Sequence, residues 1–439
     1  MTHIPKEGSK RALMKCFFDH GAKKWSGVTG MLKILHNARL EDGKLVDLHI
    51  NDGRIDTITE LTQPALVSEG GVDLDGWLVL PSMAEPHAHL DKALTAESVP
   101  NPAGDLSGAI EAWISATARG EITYDDTIYR AVEAMRLLVS KGVTAVRTHV
   151  NVALGSSALE AVREARKLVE GLIDVQIVAL TINPMTGPEG TDNRKALETA
   201  IEMGVDLVGG CPHLDPNPSV LIKDALDVAE NAGLGIDLHV DEMLDESVLT
   251  LHDLAKQVMD RGFENSVTAS HCVTLGMQSL KKQKEVSADV AEAKISVLPL
   301  PQTNLFLQGR EMPTATPRAL TAIKSLKNEG VLVAAGGDNV QDPFNLVGRS
   351  DPLETASLLI LAAHEMPESA YKMVSVNARK AMGLEKADLS PGSLADFVAI
   401  DAPSLRGAIA DAPMSRKVFK GGVLISSSQQ TTQISPDGL

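Results

Sequence analysis

The chain has 439 residues, 44% hydrophobic and 23% charged, an ordinary globular mixture that excludes a disordered or coiled-coil protein. Its 41 Lys+Arg against 58 Asp+Glu give a formal charge of −17, and aromatic residues make up only 3%. That balance argues against a nucleic-acid partner, which would need phosphate contacts and stacking platforms.

Residues 1–30 differ from the rest, with six Lys/Arg against Glu7 and Asp19. They read as a solvated N-terminal extension or, alternatively, as an oligomer contact. Ala12, Leu13 and Met14 are interrupted by Lys15, so no secretory apolar segment is predicted there. No apolar run reaches the ~20 residues that span a bilayer, so no membrane partner is expected. Cys16, Cys211 and Cys272 are widely spaced and odd in number, which fits a reducing cytoplasm better than a disulfide framework.

From Leu32 the pattern is β. LKILHNARL, KLVDLHIND and GRIDTITE are short runs separated by the turn signals EDG and NDG. LADFVAID (394–401), SRKVFK (415–420) and GVLIS (422–426) repeat the pattern at the far end. Two strand groups flanking a long middle predict a small β-sandwich domain formed from both chain ends, over 31–76 and 390–426. The polar residues 427–439 are expected to fray.

In the middle, 77–389, apolar runs at 78–84, 144–150, 174–182, 205–211, 235–240, 267–271, 295–300 and 331–336 alternate with helically spaced segments such as 128–138, 158–172, 225–232 and 320–327. Eight βα units predict a distorted (β/α)₈ TIM barrel, with a doubly wound open sheet as the alternative. Neither GxGxxG after the first strand nor a P-loop is present to favour that alternative.

Barrel enzymes carry their chemistry at the C-terminal ends of the strands. The first strand runs into Glu85-Pro86-His87-Ala88-His89-Leu90-Asp91-Lys92. Residues i and i+2 of a strand face one side, so His87 and His89 can present two imidazoles to one point. The fifth strand ends in His239, the sixth in His271 and the eighth in Asp338-Asn339. Imidazoles with one carboxylate suit a borderline divalent ion such as Zn²⁺ or Fe²⁺. Glu242, three residues after His239, is placed to shuttle a proton, although a Glu in a first helical turn is also favoured by the helix dipole. Asp241 reads as a helix cap. Lys92 reads as a substrate-side group or a solvated lysine. The fourth strand ends in Gly209-Gly210-Cys211 with no lysine to bridge two metals, which predicts one metal ion per chain.

Taken together, PSMAEPHAHLDKALT (81–95), VRTHVNV (146–152), DVQIVAL (174–180), DLHVDE (237–242), VTASHC (267–272), NLFLQGR (304–310), GGDNVQDPF (336–344) and GSLADFVAID (392–401) resemble the amidohydrolase superfamily in its cytosine deaminase-like branch. The resemblance covers about Leu32 to Ile425. It implies that His87, His89, His239 and Asp338 bind the metal, that Glu242 shuttles protons, that His271 orients water and the substrate oxygen, and that Gln308 lies near the substrate. Relatives of this kind commonly form homo-oligomers. The pyrimidine-reading glutamine of cytosine deaminases is replaced in the stretch containing Ile182 and Asn183. Asn339 follows the strand-eight Asp, where cytosine deaminases carry H-D-D. The pair Asp91-Lys92 and the D-N pair look more like relatives that hydrolyse N-alkylamino triazines. The expected activity is hydrolytic deamination of a small N-heterocyclic substrate. The alternatives are a mononuclear amidohydrolase opening a cyclic amide or creatinine-like ring, and a non-catalytic metal-stabilised protein.

Overall fold

Two sheets organise the described residues, 32–68 and 70–434, of this computed structural model. The basic extension 1–30 and the last residues of the expected tail, 435–439, lie outside them. The first sheet contains β1 (Ile34–Arg39), β2 (Leu45–Asn51), β3 (Arg54–Glu60), β4 (Gly71–Asp73) and β5 (Leu78–Pro81). The second contains β6 (Met83–Ala88), β7 (Val143–Asn151), β8 (Asp174–Leu180), β9 (Leu207–Val208), β10 (Gly235–Val240), β11 (Val267–His271) and β12 (Ser296–Leu298). The chain returns to the first sheet through β13 (Phe397–Ile400), β14 (Arg416–Lys420) and β15 (Val423–Ser428).

The first sheet has the order β15-β14-β13-β5-β1-β2-β3, with β4 beside β1. Both chain ends therefore meet in one small β-domain. Its own core includes Leu35, Leu48, Ile55, Leu74, Phe397 and Phe419. The expected strand 78–84 is two strands. Leu78–Pro81 pairs with β13 in the small sheet, Ser82 is the break, and Met83 begins the barrel. The boundary expected at 76/77 thus falls inside the small sheet's own pairing. Ser427 and Ser428 pair with Lys417 and Arg416, so the strand runs two residues into the segment expected to fray.

The second sheet is parallel, in the order β12-β11-β10-β9-β8-β7-β6, and helices cover it. The expected eighth strand, 331–336, is not a regular strand. It makes a single bridge, Val297↔Val333, on one side, and Asp338, two residues past its end, makes a single bridge to Ala88 on the other. Those bridges close the barrel with few ladder bonds. The buried carboxylate of Glu85 supplements them by accepting the backbone N–H of Gly337. A Cβ at Gly336 would collide with Glu85 Oε1, so this position requires glycine for close approach. Strand alternation aims Glu85, His87 and His89, then Arg147, His149 and Asn151, then Asp237 and His239, at the barrel axis. A helix that the sequence reading did not single out, Leu106–Ala118, follows the first barrel strand.

Candidate metal centre and active site

The three imidazoles expected from the ends of two strands and the carboxylate of the eighth segment meet at one point. His87 Nε2 and His89 Nε2 each lie 3.2 Å from His239 Nε2. Asp338 Oδ1 lies 3.3 Å from His89 Nε2 and 3.7 Å from His87 Nε2. Hydrogen bonds cannot satisfy this set. A neutral imidazole has one N–H, whereas His239 Nε2 faces two other ring nitrogens. Burial holds His87 and His89 well below their ordinary pKa and brings His239 to about 3, so the rings are neutral. Both carboxylate oxygens of Asp338 are buried without a hydrogen-bond partner, and burial pushes this acid well above the usual range. Ligands bound at 2.0–2.1 Å to a tetrahedral ion lie about 3.4 Å apart. The donor set therefore fits a divalent cation.

Among the described residues a second cluster combines His87 and His239 with His149. The His149 ring lies 4.0 Å from the His87 ring at 30° between planes. Both ring nitrogens of His149 are buried without a hydrogen-bond partner. His149 is thus a further imidazole beside the donor set, with a nitrogen near those of His87 and His239.

Strand-end backbone is unusual here. Asp241, His271 and Asp338 all have positive φ, at 51°, 67° and 65°. Non-glycine residues adopt this conformation at a cost of about 1–3 kcal/mol each when surrounding structure enforces it, commonly at functional sites. Asp241 accepts Thr250 N and Leu251 N and serves as a buried anchor for the following helix. This matches the capping role expected for that residue.

Glu242 is buried, and desolvation raises its carboxyl to about 8. Its Oε1 lies 3.5 Å from His271 Nδ1. Asn304 Nδ2 donates to that same nitrogen at 3.0 Å, which leaves the proton on His271 Nε2. His271 Nε2 is buried and has no protein partner.

A cavity of about 220 Å³ opens beside these groups. It is lined by His89, His239, Glu242, His271 and Asp338, and by Lys92, Ile182, Asn183 and Asn339. Lys92 is the one cationic side chain among the Lys and Arg lining it. Its Nζ contacts both Asp91 oxygens at 3.1 Å and lies 5.4 Å from the Trp113 ring centroid. Asn183 Nδ2 donates to Cys211 O, and its Oδ1 is left without a partner. Asn339 is held by Asp342 and Thr303.

Two expected substrate residues do not line the cavity. Gln308 Nε2 donates to the backbone oxygen of Glu242 at 3.0 Å, so it braces the loop that carries Glu242. Asp91 sits behind Lys92 and accepts Asn151 N. The sequence reading passed over Leu106, Ile110, Trp113 and Ile114, which form an apolar wall of the cavity. Their spacing of four, three and one residues marks one helical face, a signal that could have revealed them.

The barrel, the convergent donors and the buried carboxylate beside them define a metal-dependent hydrolase of carbon–nitrogen bonds. The chain belongs to the Amidohydrolase family, whose sequence model matches residues 126–425. It is 30% identical over 390 residues to a pterin deaminase of Rhizobium rhizogenes, covering 87% of this chain and 88% of that one. It is 26% identical to the N-isopropylammelide isopropyl amidohydrolase of a Pseudomonas species, covering 89% and 96%. The 5-methylcytosine deaminase of Klebsiella pneumoniae, solved with 5-fluorocytosine, superposes with a TM-score of 0.85 at 29% identity. That match covers 92% of this chain and 100% of the solved one. The activity of this family branch, and of this chain, is hydrolytic deamination. Among the described residues no helix is long and apolar enough to cross a membrane.

Proposed function

We propose that this enzyme deaminates a planar amino-heterocycle that carries an oxo group on its ring, with pterins and pyrimidines as the first classes to consider. The observation that carries this reading is the pairing of chemistries in one cavity: Glu242, His271 and the donor set at one end, and Lys92 beside Trp113 along its wall. Pterin, 5-methylcytosine and N-isopropylammelide, named in the relatives above, fit that description.

His87, His89, His239 and Asp338 would hold a single Zn²⁺ or Fe²⁺ ion. The absence of lysine at Gly209-Gly210-Cys211 supports one ion rather than two. When bound, a divalent cation supplies Lewis acidity that lowers the pKa of water from 15.7 to about 7. Asp338 accepts the proton of the attacking water at its unpartnered oxygen. Glu242, protonated near neutrality by its burial, gives its proton to the ring nitrogen beside the reacting carbon. His271 donates from Nε2 to the developing oxygen. A carbon–oxygen bond forms; Glu242 then takes the proton of the new hydroxyl and hands it to the departing amine, the carbon–nitrogen bond breaks to leave the oxo group, and the proton held by Asp338 returns to Glu242, restoring both acids. Ammonia leaves; an alkylamine would leave by the same route. Lys92 donates to the exocyclic oxo oxygen, and the apolar face of the helix Leu106–Ala118 stacks on the ring. The free thiols of Cys211 and Cys272 support a cytoplasmic setting.

The test is a panel of pterin, 5-methylcytosine, cytosine, N-isopropylammelide and creatinine with metal-loaded protein, read for ammonia or amine and for acid. Ammonia or isopropylamine from an oxo-heterocycle supports the reading. Acid release without amine overturns it in favour of a cyclic-amide hydrolase.

A further inference from the structure

His87 differs from the other two imidazoles of the donor set. The second ring nitrogens of His89 and His239, both Nδ1, are buried without a partner. His87 Nδ1 meets Ser270 Oγ at 2.9 Å. The Ser270 hydroxyl has one proton, and it donates that proton to Asp237 Oδ1 at 3.1 Å. Ser270 can therefore only accept from His87, so the imidazole proton must sit on Nδ1. The lone pair is then on Nε2, the atom that faces His239 and Asp338.

The chain of contacts continues to the barrel floor. Arg147 Nη1 donates to Asp237 Oδ2 at 2.8 Å and to Thr268 Oγ1 at 3.1 Å. Arg147 Nε donates to Gln176 Oε1 at 3.0 Å. Arg147, Asp237, Ser270 and His87 are 0–1% exposed. They come from β7, β10, β11 and β6, so the connection is made only when those strands are in register. The register sets His239 beside Ser270 and Asp237 beside Thr268. Removing an arginine and an aspartate from water is costly, and apolar residues would fill a barrel more cheaply. A stability role alone therefore gives a poor account of this network.

We propose that Arg147, Asp237 and Ser270 form a positioning relay that fixes the tautomer and ring orientation of His87 and strengthens its hold on the metal ion. None of the three lines the cavity, so the relay acts through His87 and not on substrate. This inference rests on His87 being a metal ligand, as proposed above. It does not depend on which heterocycle is deaminated.

The experiment measures Zn²⁺ affinity by chelator competition for wild type, Ser270→Ala, Ser270→Thr and Asp237→Asn, together with the visible spectrum of each Co²⁺-substituted protein. Groups that orient a metal-bound histidine typically contribute 10- to 100-fold in affinity. S270A is expected to bind Zn²⁺ about 10- to 100-fold more weakly, with a shifted Co²⁺ spectrum. S270T, which keeps the hydroxyl, is expected to restore most of the affinity and the wild-type spectrum. Metal-free S270A is expected to melt below wild type, because buried His87 Nδ1–H and Asp237 Oδ1 lose a partner, so the relay is read from the affinity and the spectrum and not from the melting temperature. If S270A fails to fold, D237N, which changes no volume, carries the test: it is expected to weaken Zn²⁺ binding and alter the spectrum. Wild-type affinity and an unchanged spectrum in S270A, or in D237N where S270A does not fold, overturn the relay. An inactive protein with intact relay signatures would count against the deaminase reading only.

Discussion

The buried carboxylate of Glu85 accepts the backbone N–H of Gly337 at both oxygens, at 3.1 and 2.9 Å. It also accepts His87 N at 3.3 Å. One side chain thus ties the first barrel strand, with its clustered histidines, to the irregular eighth segment that presents Asp338. Glu85→Ala would leave these buried N–H groups unpaired, at about 1–3 kcal/mol each. We expect a marked fall in thermal stability and loss of bound metal. Gly336→Ala forces its methyl against Glu85 and should cost about 1–3 kcal/mol. Calorimetric melting of both variants checks this; two wild-type melting temperatures would contradict it.

The same glutamate gives a pH dependence. Burial raises both Glu85 and Glu242 to about 8, far above an exposed carboxyl. In the metal-free protein both hold protons in the folded state that the unfolded chain has already released. Folding is therefore favoured at low pH by this term, and the benefit is lost as pH rises through about 8. Above about pH 7.5 the histidines are essentially neutral in either state, and Asp237, Asp241 and Asp342, raised to about 6, have ionised. Stability of the chelated protein should then fall between about pH 7.5 and 8.5, by up to ~1.4 kcal/mol per pH unit for each glutamate. Glu85→Gln should flatten the decline. A melting temperature that rises across this window would rule the assignment out.

Glu242→Gln should leave fold and metal content intact and cut turnover by about 10²–10⁴-fold, the usual contribution of a positioned proton-transfer group. Metal analysis and steady-state rates on the same preparation decide the matter. Wild-type turnover would remove Glu242 from the proton path.

Lys92→Met should lower kcat/KM for an oxo-heterocycle by about ten- to a hundredfold, since a hydrogen bond from a charged donor contributes roughly 1.5–3 kcal/mol. The loss should shrink for an analogue that lacks the oxo group. Equal losses on both substrates would assign Lys92 to structure, through its contacts with Asp91.

Much of this architecture is legible in the sequence because it is local. Histidines two apart on a strand, and a histidine followed at the third residue by glutamate, announce their shared faces through strand alternation and the strand-to-loop transition. The short runs around EDG and NDG show the small β-domain for the same reason. What pattern reading missed depends on contacts distant in sequence. Ser82 breaks the run 78–84 because Leu78–Pro81 has a partner more than 300 residues away in β13. The eighth segment reads as a strand by composition, yet it is secured by Glu85 as much as by its neighbours. Gln308 sits in a motif that points to substrate, but its amide is occupied by the Glu242 carbonyl. His149 stands alone in its run, VRTHVNV, and only the folded barrel brings its ring beside those of His87 and His239.

The central claim is that water replaces an amino group on an intact ring. Mass spectrometry of the product formed by metal-loaded protein in ¹⁸O-labelled water tests it most directly. The account predicts an oxo-heterocycle with one ¹⁸O atom, one ammonia or amine released per product, and no such product from Glu242→Gln. A ring-opened acid carrying the label, with no amine released, would contradict it.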